Sequence, residues 1–162
     1  GNSVNNLSAG RHSLKIYDQN QCLQLEDVYI DAPKAIPDLE RSKLEVGQTL
    51  RINQLFFEAD SAIISQESYP VLDEIYQFLL ANKDVTIEIG GHTNGIPPHE
   101  YCDRLSSARA KNVSEYLYQK GIPIEQISFR GYGKRVPIAS NDTLAGRQRN
   151  HRVELKIVAI AK

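Results

Sequence analysis

The sequence predicts a mixed α+β fold, an α/β sandwich in which helices cover one face of a mixed sheet and a β hairpin precedes it. Three observations carry this prediction. Short segments alternate apolar and polar residues, as half-buried strands do, and two longer segments repeat apolar residues at helical spacing. A stretch rich in proline and charge isolates the first two alternating segments. The remainder reads β-α-β-α-β-β, an order that implies crossover connections within one sheet.

Residues 1–33 are predicted to contain the hairpin. Apolar and polar residues alternate from Leu14 to Ile16 and again from Val28 to Ile30, and residues 18–20 (Asp-Gln-Asn) between these runs are typical of a turn. Two strands alone are marginally stable in water. We therefore expect the hairpin either to pack on the residues C-terminal to it or to end a larger β module.

Residues 34–46 are predicted to be a linker, because proline and a run of charges from Asp38 to Glu45 dominate them. The following residues, 47–162, are enough for one hydrophobic core. Leu50 and Ile52 mark their first strand.

The other elements follow from periodicity and from helix-ending residues. Pro70 fits only the first turn of the first helix, and Gly121 is typical of the residue that follows the end of a second one. The predicted elements are a helix over 67–82, a strand over 85–89, a helix from about 106 to 120, a strand over 127–129, one or two helical turns over 143–150, and a strand over 153–157.

Composition narrows the classes of function. The formal net charge is -1, so no basic surface indicates nucleic acid as a partner. No apolar run approaches the ~20 residues that span a bilayer. The chain begins with Gly1 and contains no methionine, so we expect a piece of a longer protein. Cys22 and Cys102 are interpreted as free thiols, with a disulfide between them as the alternative.

Four motifs in order carry the functional information. They are Gly91-His92-Thr93-Asn94, then Leu105-Ser106-Ser107-Ala108-Arg109-Ala110, then Gly131-Tyr132-Gly133 with Pro137 to Asn141, then Gly146 to Glu154. This series resembles the OmpA-like C-terminal domain, whose pattern is GHTD, LSxxRA, GyGxxxPxaxN and GRxxNRRVE. The resemblance covers about residues 47–158 and implies a non-enzymatic domain, without cofactor or metal, that binds peptidoglycan in the periplasm and anchors an outer-membrane or surface protein.

The resemblance also implies a ligand and a site. Family members hold the diaminopimelate of the stem peptide, using the Asp of GHTD for its ammonium and the Arg of LSxxRA for its carboxylate. Arg109 has the family's Arg position, and a guanidinium matches a carboxylate in geometry and charge. We expect Arg109 in the first turn of its helix, where free N–H groups also favour an anion.

Three positions depart from the family pattern. Asn94 replaces the Asp of GHTD, Cys102 replaces an Asn common before the LS motif, and His151 replaces the first Arg of NRR. Asp60 falls at the Asn-like position of the family's FFDxN-type segment and is a candidate for the missing carboxylate, with a role as a loop or helix cap as the alternative. The expected ligand-binding residues are Asp60, Asn94, Cys102, Arg109 and His151.

Other functions compete with this interpretation. His92, His99, Glu100, Cys102 and Asp103 are close in sequence, but their spacing matches no standard zinc site. Cys102 with a histidine could form a nucleophile–base pair, although no nucleophile signature surrounds it. The three substitutions also allow a protein–protein interaction module that keeps the fold without the ligand.

The N-terminal segment has a resemblance of its own. Residues 7–33, with Asp18, Asn20-Gln21-Cys22 and Val28 to Pro33, are similar to the end of an SprB-type repeat from large Bacteroidetes surface proteins. This implies that residues 1–33 are the last strands of an immunoglobulin-like module. Simple hydrophobic alternation explains the same residues equally well.

Overall fold

The computed structural model of the protein describes residues 10–17, 23–30 and 34–161. The chain forms two compact units, residues 1–34 and residues 35–162. The first unit contains an antiparallel hairpin of β1 (Gly10–Tyr17) and β2 (Leu23–Ile30), in which Arg11 pairs with Asp27. The predicted turn at residues 18–20 lies outside the described residues. Leu25 and Tyr29 of β2 are largely exposed.

The second unit has the predicted mixed α+β architecture. Its sheet has the strand order β3-β6-β4-β5, with β4 and β5 parallel and the other neighbours antiparallel. Among the described residues its elements are β3 (Thr49–Arg51), α1 (Tyr69–Ala81), β4 (Val85–His92), α2 (His99–Gln119), β5 (Ile127–Gly133), α3 (Leu144–Asn150) and β6 (Val153–Ile160), with 3-10 turns at Arg41–Lys43, Gln66–Ser68 and Ile124–Gln126. None of these helices is long and apolar enough to cross a membrane.

The core lies between the helices and one face of the sheet. Alternation along β4 and β6 puts one set of apolar side chains on this face, as the sequence predicts, and the apolar stripes of the two long helices cover them. The fully buried members are Val85, Ile87 and Ile89 of β4, Leu155 and Ile157 of β6, Leu72, Ile75 and Leu79 of α1, and Val113 and Leu117 of α2.

The segment predicted as a linker is instead packed into this core. Ile36, Leu39 and Leu44 expose 2%, 5% and 8% of their surface. The Glu74 carboxylate of α1 also accepts hydrogen bonds from the backbone N–H groups of Ala35 (2.8 Å) and Ile36 (3.1 Å). The linker prediction at 34–46 was wrong. The three buried apolar residues of this segment stand among charges and prolines without regular spacing, so no helical or strand pattern marks them as buried.

Helix α2 begins at His99, seven residues before the predicted start at 106. Arg109 therefore lies in the middle of the helix, and the expected help from free N–H groups of a first turn is absent. The missed residues 99–105 are mostly polar and include a single buried residue, Cys102, so the apolar periodicity that marks a helix in sequence is absent there. His99, Glu100 and Asp103 are also helical.

Candidate ligand-binding site

Two close contacts between α2 and the sheet position the candidate site. A Cβ atom on Gly91 of β4 would lie 2.1 Å from the backbone oxygen of Ser106, and one on Gly131 of β5 would lie 2.1 Å from Ser107 Oγ. Only glycine permits this approach. The Ser106 hydroxyl also accepts a hydrogen bond from the N–H of Gly133 (3.0 Å). These contacts fix α2 along the strand ends and place Arg109 beside the loop after β3.

A cavity of about 380 Å³ opens at this place. It contains three of the five predicted site residues, Asp60, Arg109 and His151. The rest of its lining is Leu55, Phe56, Phe57, Glu58, Ala59, Arg152 and Val153. Its charged and titratable groups come from the loop after β3 (Glu58 and Asp60), from helix α2 (Arg109) and from the residues that follow α3 (His151 and Arg152).

Arg109 is a buried cation with unused donors. The residue is only 6% exposed. Its Nε donates a hydrogen bond to the backbone oxygen of Ser61 (2.8 Å), and its Cζ lies 4.7 Å from the centre of the Phe57 ring. Burial lowers the pKa of Arg109, and Tyr101 and Asp60 oppose this shift. Arginine nevertheless stays protonated in proteins. Within the described residues Nη1 and Nη2 make no hydrogen bond, so the fork is available to an anion.

Asp60 is one of two acidic residues, with Glu58, that line the cavity. Its φ of 49° is in the left-handed region, which Asp tolerates better than most residues. Its Oδ1 accepts a hydrogen bond from the Tyr101 hydroxyl (3.4 Å). Strained backbone of this kind is often found at binding sites, because the surrounding structure holds it. Cation and carboxylate therefore line the same cavity.

His151 lines the same cavity and is neutral at pH 7. Burial, followed by the positive charge of Arg109, lowers the pKa of His151 to about 4, while Asp60 partly opposes the shift. A neutral ring thus stands where the family pattern has an arginine, and the cations that line the cavity are Arg109 and Arg152.

Asn94 lines a neighbouring cavity of about 540 Å³. The two cavities share Leu55, Phe56, His151, Arg152 and Val153. Asn94 Oδ1 accepts a hydrogen bond from the N–H of Ile96 (3.1 Å), which folds its loop into an Asx turn. Asn94 therefore lines a cavity next to the one that contains Asp60, and His151 belongs to the lining that the two cavities share.

Cys102 lies outside both cavities, and its predicted contact with a ligand stays a prediction. It is a fully buried free thiol whose Sγ lies 3.8 Å from the backbone oxygen of Asn94 and 3.5 Å from that of Pro97. Its position on the inner side of α2 makes it a support for the loop. Cys22 is outside the described residues. Among residues 10–17, 23–30 and 34–161, no group of three His, Cys, Asp or Glu side chains is arranged for a metal.

Residues of the last motif form hydrogen bonds with the neighbouring loops. The fully buried Asn150 accepts from the N–H groups of Ile138 (2.7 Å) and Ala139 (3.0 Å) and donates to Asn141 Oδ1 (2.9 Å), which in turn accepts from the N–H of Gly95 (2.9 Å). The Arg147 Nη1 donates to the Asn141 backbone oxygen (2.9 Å). These residues connect the Asn94 loop to α3.

Two residues of the site, Phe57 and Tyr101, were not predicted from the sequence. Phe57 stacks under the Arg109 guanidinium, and Tyr101 bonds to Asp60. The paired Phe56-Phe57 next to Asp60 was a usable signal for the first. Nothing in the spacing around Tyr101 marks the second, because its role depends on the early start of α2.

The stability of the second unit is expected to decrease in two steps as the pH falls. The folded-state pKa of His151 is about 4 against an ordinary 6.5, so protons bind the unfolded chain first and stability is lost as pH falls from 6.5 to 4. Burial would raise the pKa of Glu154, but hydrogen bonds from His92 (3.2 Å) and Arg152 (2.5 Å) hold it at about 2. Its contribution is therefore lost between pH 4.5 and 2.

Each step should amount to at most about 3 kcal/mol, at ~1.4 kcal/mol per pKa unit. Circular dichroism melts between pH 8 and 2 measure both steps. His151→Gln should remove the loss between pH 6.5 and 4 and leave the more acidic step. A wild-type melting temperature that is constant from pH 7 to 5 would contradict the assignment to His151.

With this geometry established, comparison with known proteins identifies the family. The profile of the OmpA family matches residues 56–151. The chain belongs to the OmpA family. It is 41% identical over 107 residues to an outer membrane protein A from Bordetella avium, covering 66% of this chain and 55% of that protein. It is 33% identical over 118 residues to outer membrane porin F from Pseudomonas fluorescens, covering 72% of this chain and 36% of that protein.

Solved structures of OmpA family members have the same fold. The periplasmic domain of MotB from Helicobacter pylori superposes with a TM-score of 0.63 at 32% identity, covering 72% of this chain and 78% of that one. The cell wall anchor of the T6SS from Pseudomonas aeruginosa gives a TM-score of 0.58 at 30% identity, covering 68% and 79%. The chain spans about a third to a half of the two curated relatives named above, so it shares a domain with them.

Proposed function

We propose that this OmpA family domain binds peptidoglycan without covalent chemistry and that its ligand is the diaminopimelate of the stem peptide. The observation that carries the proposal is the Arg109 guanidinium, buried in a cavity with Nη1 and Nη2 free of hydrogen bonds to described residues. A carboxylate is the group that such a fork binds best. Relatives named as a cell wall anchor and as a MotB periplasmic domain support the same assignment.

The second half of the proposal concerns the ammonium of the same ligand centre. Diaminopimelate ends in one ammonium and one carboxylate on one carbon atom, so it needs an anion close to the arginine. Asp60 lines the cavity of Arg109, whereas Asn94 carries no charge and lines the neighbouring cavity. We infer that Asp60 receives the ammonium, and that acid and amide are exchanged between positions 60 and 94 relative to the family pattern.

Asp60→Asn is expected to weaken binding of diaminopimelate-containing fragments by about tenfold, because a charge-assisted bond is replaced by a neutral one. Asn94→Asp in that background should restore part of the affinity, since the two cavities meet at His151. Calorimetric titration with a muropeptide measures both effects. Glu67→Gln, which removes an exposed acid outside the cavities, is the matched control. Unchanged affinity in Asp60→Asn would show that Asp60 only shapes the loop.

Co-sedimentation with purified sacculi tests the function itself. The wild-type chain should sediment with sacculi, and free diaminopimelate should release it. If neither the wild type nor Asn94→Asp binds any fragment at millimolar concentration, the peptidoglycan proposal fails. The substitutions at Asn94, Cys102 and His151 then favour the second candidate, an OmpA-like fold that serves as a protein–protein interaction module.

The proposal extends to location and to the first unit. A domain that binds peptidoglycan acts in the periplasm, where we propose that it anchors an outer-membrane or surface protein to the cell wall. Leu25 and Tyr29 of the hairpin are exposed. A strand pair with such side chains is stabilised when further strands pack against it and bury them. We propose that residues 1–33 are the end of such a β module, of the SprB-like type that their sequence resembles.

A further inference from the structure

The larger of the two neighbouring cavities has a different chemistry from the one that contains Asp60. Its charged and titratable lining consists of Arg51, Arg147, Arg152 and the neutral His151, and no acidic residue of the described chain lines it. Its other lining residues include the amides Asn53, Gln54 and Gln148 and the exposed side chains of Phe56 and Leu144. A surface of this composition attracts an anion and offers several neutral hydrogen-bonding groups.

The three arginines are not equally available to a ligand. Arg152 is committed to Glu154 (2.5 Å) and to the backbone oxygens of Asn150 and Val136, and Arg147 Nη1 holds the backbone oxygens of Asn141 and Asp142. The Arg51 side chain is exposed and makes no hydrogen bond or ion pair with a described residue, although its backbone pairs with Glu154 in the sheet. Among the described arginines of this cavity, Arg51 therefore has its whole guanidinium available to a ligand.

The backbone beside Arg51 has an unusual conformation. Gln54, which also lines the cavity, has a φ of 60°, in the left-handed region that few residues other than Gly, Asn and Asp adopt. Such a conformation persists where the surrounding structure requires it, and it recurs at binding sites. The loop between β3 and Phe56 thus borders both cavities.

We propose that the cavity lined by Arg51 is a second subsite for the same ligand, and that it takes the α-carboxylate of the glutamate next to diaminopimelate in the stem peptide. This inference rests on the proposed function of the Asp60–Arg109 cavity. The two cavities share a wall at Phe56 and His151, so a peptide whose diaminopimelate end lies beside Arg109 continues into the neighbouring space. The subsite makes the protein sensitive to whether that glutamate carries a free or an amidated carboxyl group.

The experiment is a calorimetric titration of the full chain with three probes. They are free diaminopimelate, the tripeptide L-alanyl-γ-D-glutamyl-diaminopimelate, and the same tripeptide with its glutamate α-carboxyl group amidated. The wild type should bind the free tripeptide roughly two- to fivefold more tightly than the amidated one, the range for exposed charge pairs. Arg51→Gln should abolish this difference and leave the affinity for free diaminopimelate unchanged. Arg149→Gln, an exposed α3 arginine outside the cavity, should behave as wild type.

The remaining outcomes separate the two proposals. If diaminopimelate and tripeptide bind but the wild type does not distinguish the amidated form, the second subsite is refuted and the first site stands. The subsite is equally refuted if Arg51→Gln weakens all three probes alike, or if Arg149→Gln removes the discrimination as well. If none of the probes binds the wild type, the proposed function fails and the second subsite fails with it.

Discussion

Removal of residues 1–45 is expected to unfold the second unit or to destabilise it severely, whereas removal of residues 1–34 should leave its fold intact. The longer deletion takes Ile36, Leu39 and Leu44 out of the hydrophobic core. Full burial of such a side chain stabilises by about 1.5–3 kcal/mol, so the loss approaches the ~5–15 kcal/mol of a whole domain. None of the described residues that the shorter deletion removes belongs to the core cluster.

Urea unfolding of fragments 35–162 and 46–162, followed by circular dichroism, measures the difference. Fragment 35–162 should show one cooperative transition, and fragment 46–162 should lose several kcal/mol of unfolding free energy or show no transition. The variant Ile36→Ala/Leu39→Ala in the full chain is the matched test of mechanism, because it deletes the contacts without deleting the chain. Equal unfolding free energies of the two fragments would mean that residues 35–45 contribute nothing to the stability of the hydrophobic core.

Periodicity predicted most of the second unit because most of its core is apolar. Val85, Ile87 and Ile89 alternate along β4 as a strand with one covered face requires, and Pro70 marks the first turn of α1 as predicted. The parallel pairing of β4 with β5 is the pairing that the crossover through α2 implies. Where the buried residues are apolar and regularly spaced, the sequence pattern is sufficient.

The failures occur where polar or irregular residues are buried. The start of α2 was misplaced because the seven missed residues, 99–105, are mostly polar, and Cys102 is the one among them that is buried, so no apolar period marks this part of the helix. The segment around Ile36 was misread because its apolar residues follow no period. The hydrophobicity of a segment can be read from its sequence, whereas the close approach of α2 to Gly91 arises only when the chain folds.

The candidate site shows the same division. The motif series predicted Asp60, Arg109 and His151, and the structure brings these three into one cavity. The structure places Asn94 in the adjacent cavity and Cys102 beneath the loop. The motifs did not predict these places, because the position of a residue in a motif does not say on which side of a helix it lies. Their roles in binding stay predictions.

Arg109→Gln is expected to weaken the binding of diaminopimelate-containing fragments by about 10- to 100-fold, or ~1.5–3 kcal/mol, the range for hydrogen bonds to a charged group. The glutamine amide can still donate, but it has neither the charge nor the paired donors of Nη1 and Nη2. Stability should also decrease by about 1 kcal/mol, because Nε bonds to Ser61 and the guanidinium stacks on Phe57. This cost is larger than an exposed arginine would show, and it follows from the burial of Arg109.

Two further variants separate charge, geometry and stability. Arg109→Lys keeps the charge without the planar fork, so its affinity should lie between those of wild type and Arg109→Gln. Lys111→Gln removes a cation from an exposed position of the same helix, where it pairs with Glu115, and should change neither affinity nor fold. Titrations at 25 °C, where all variants remain folded, measure binding, and thermal melts measure stability independently. If Arg109→Gln lowers the melting temperature while the affinity stays at the wild-type value, Arg109 supports the loop of Ser61 and the ligand carboxylate is bound elsewhere.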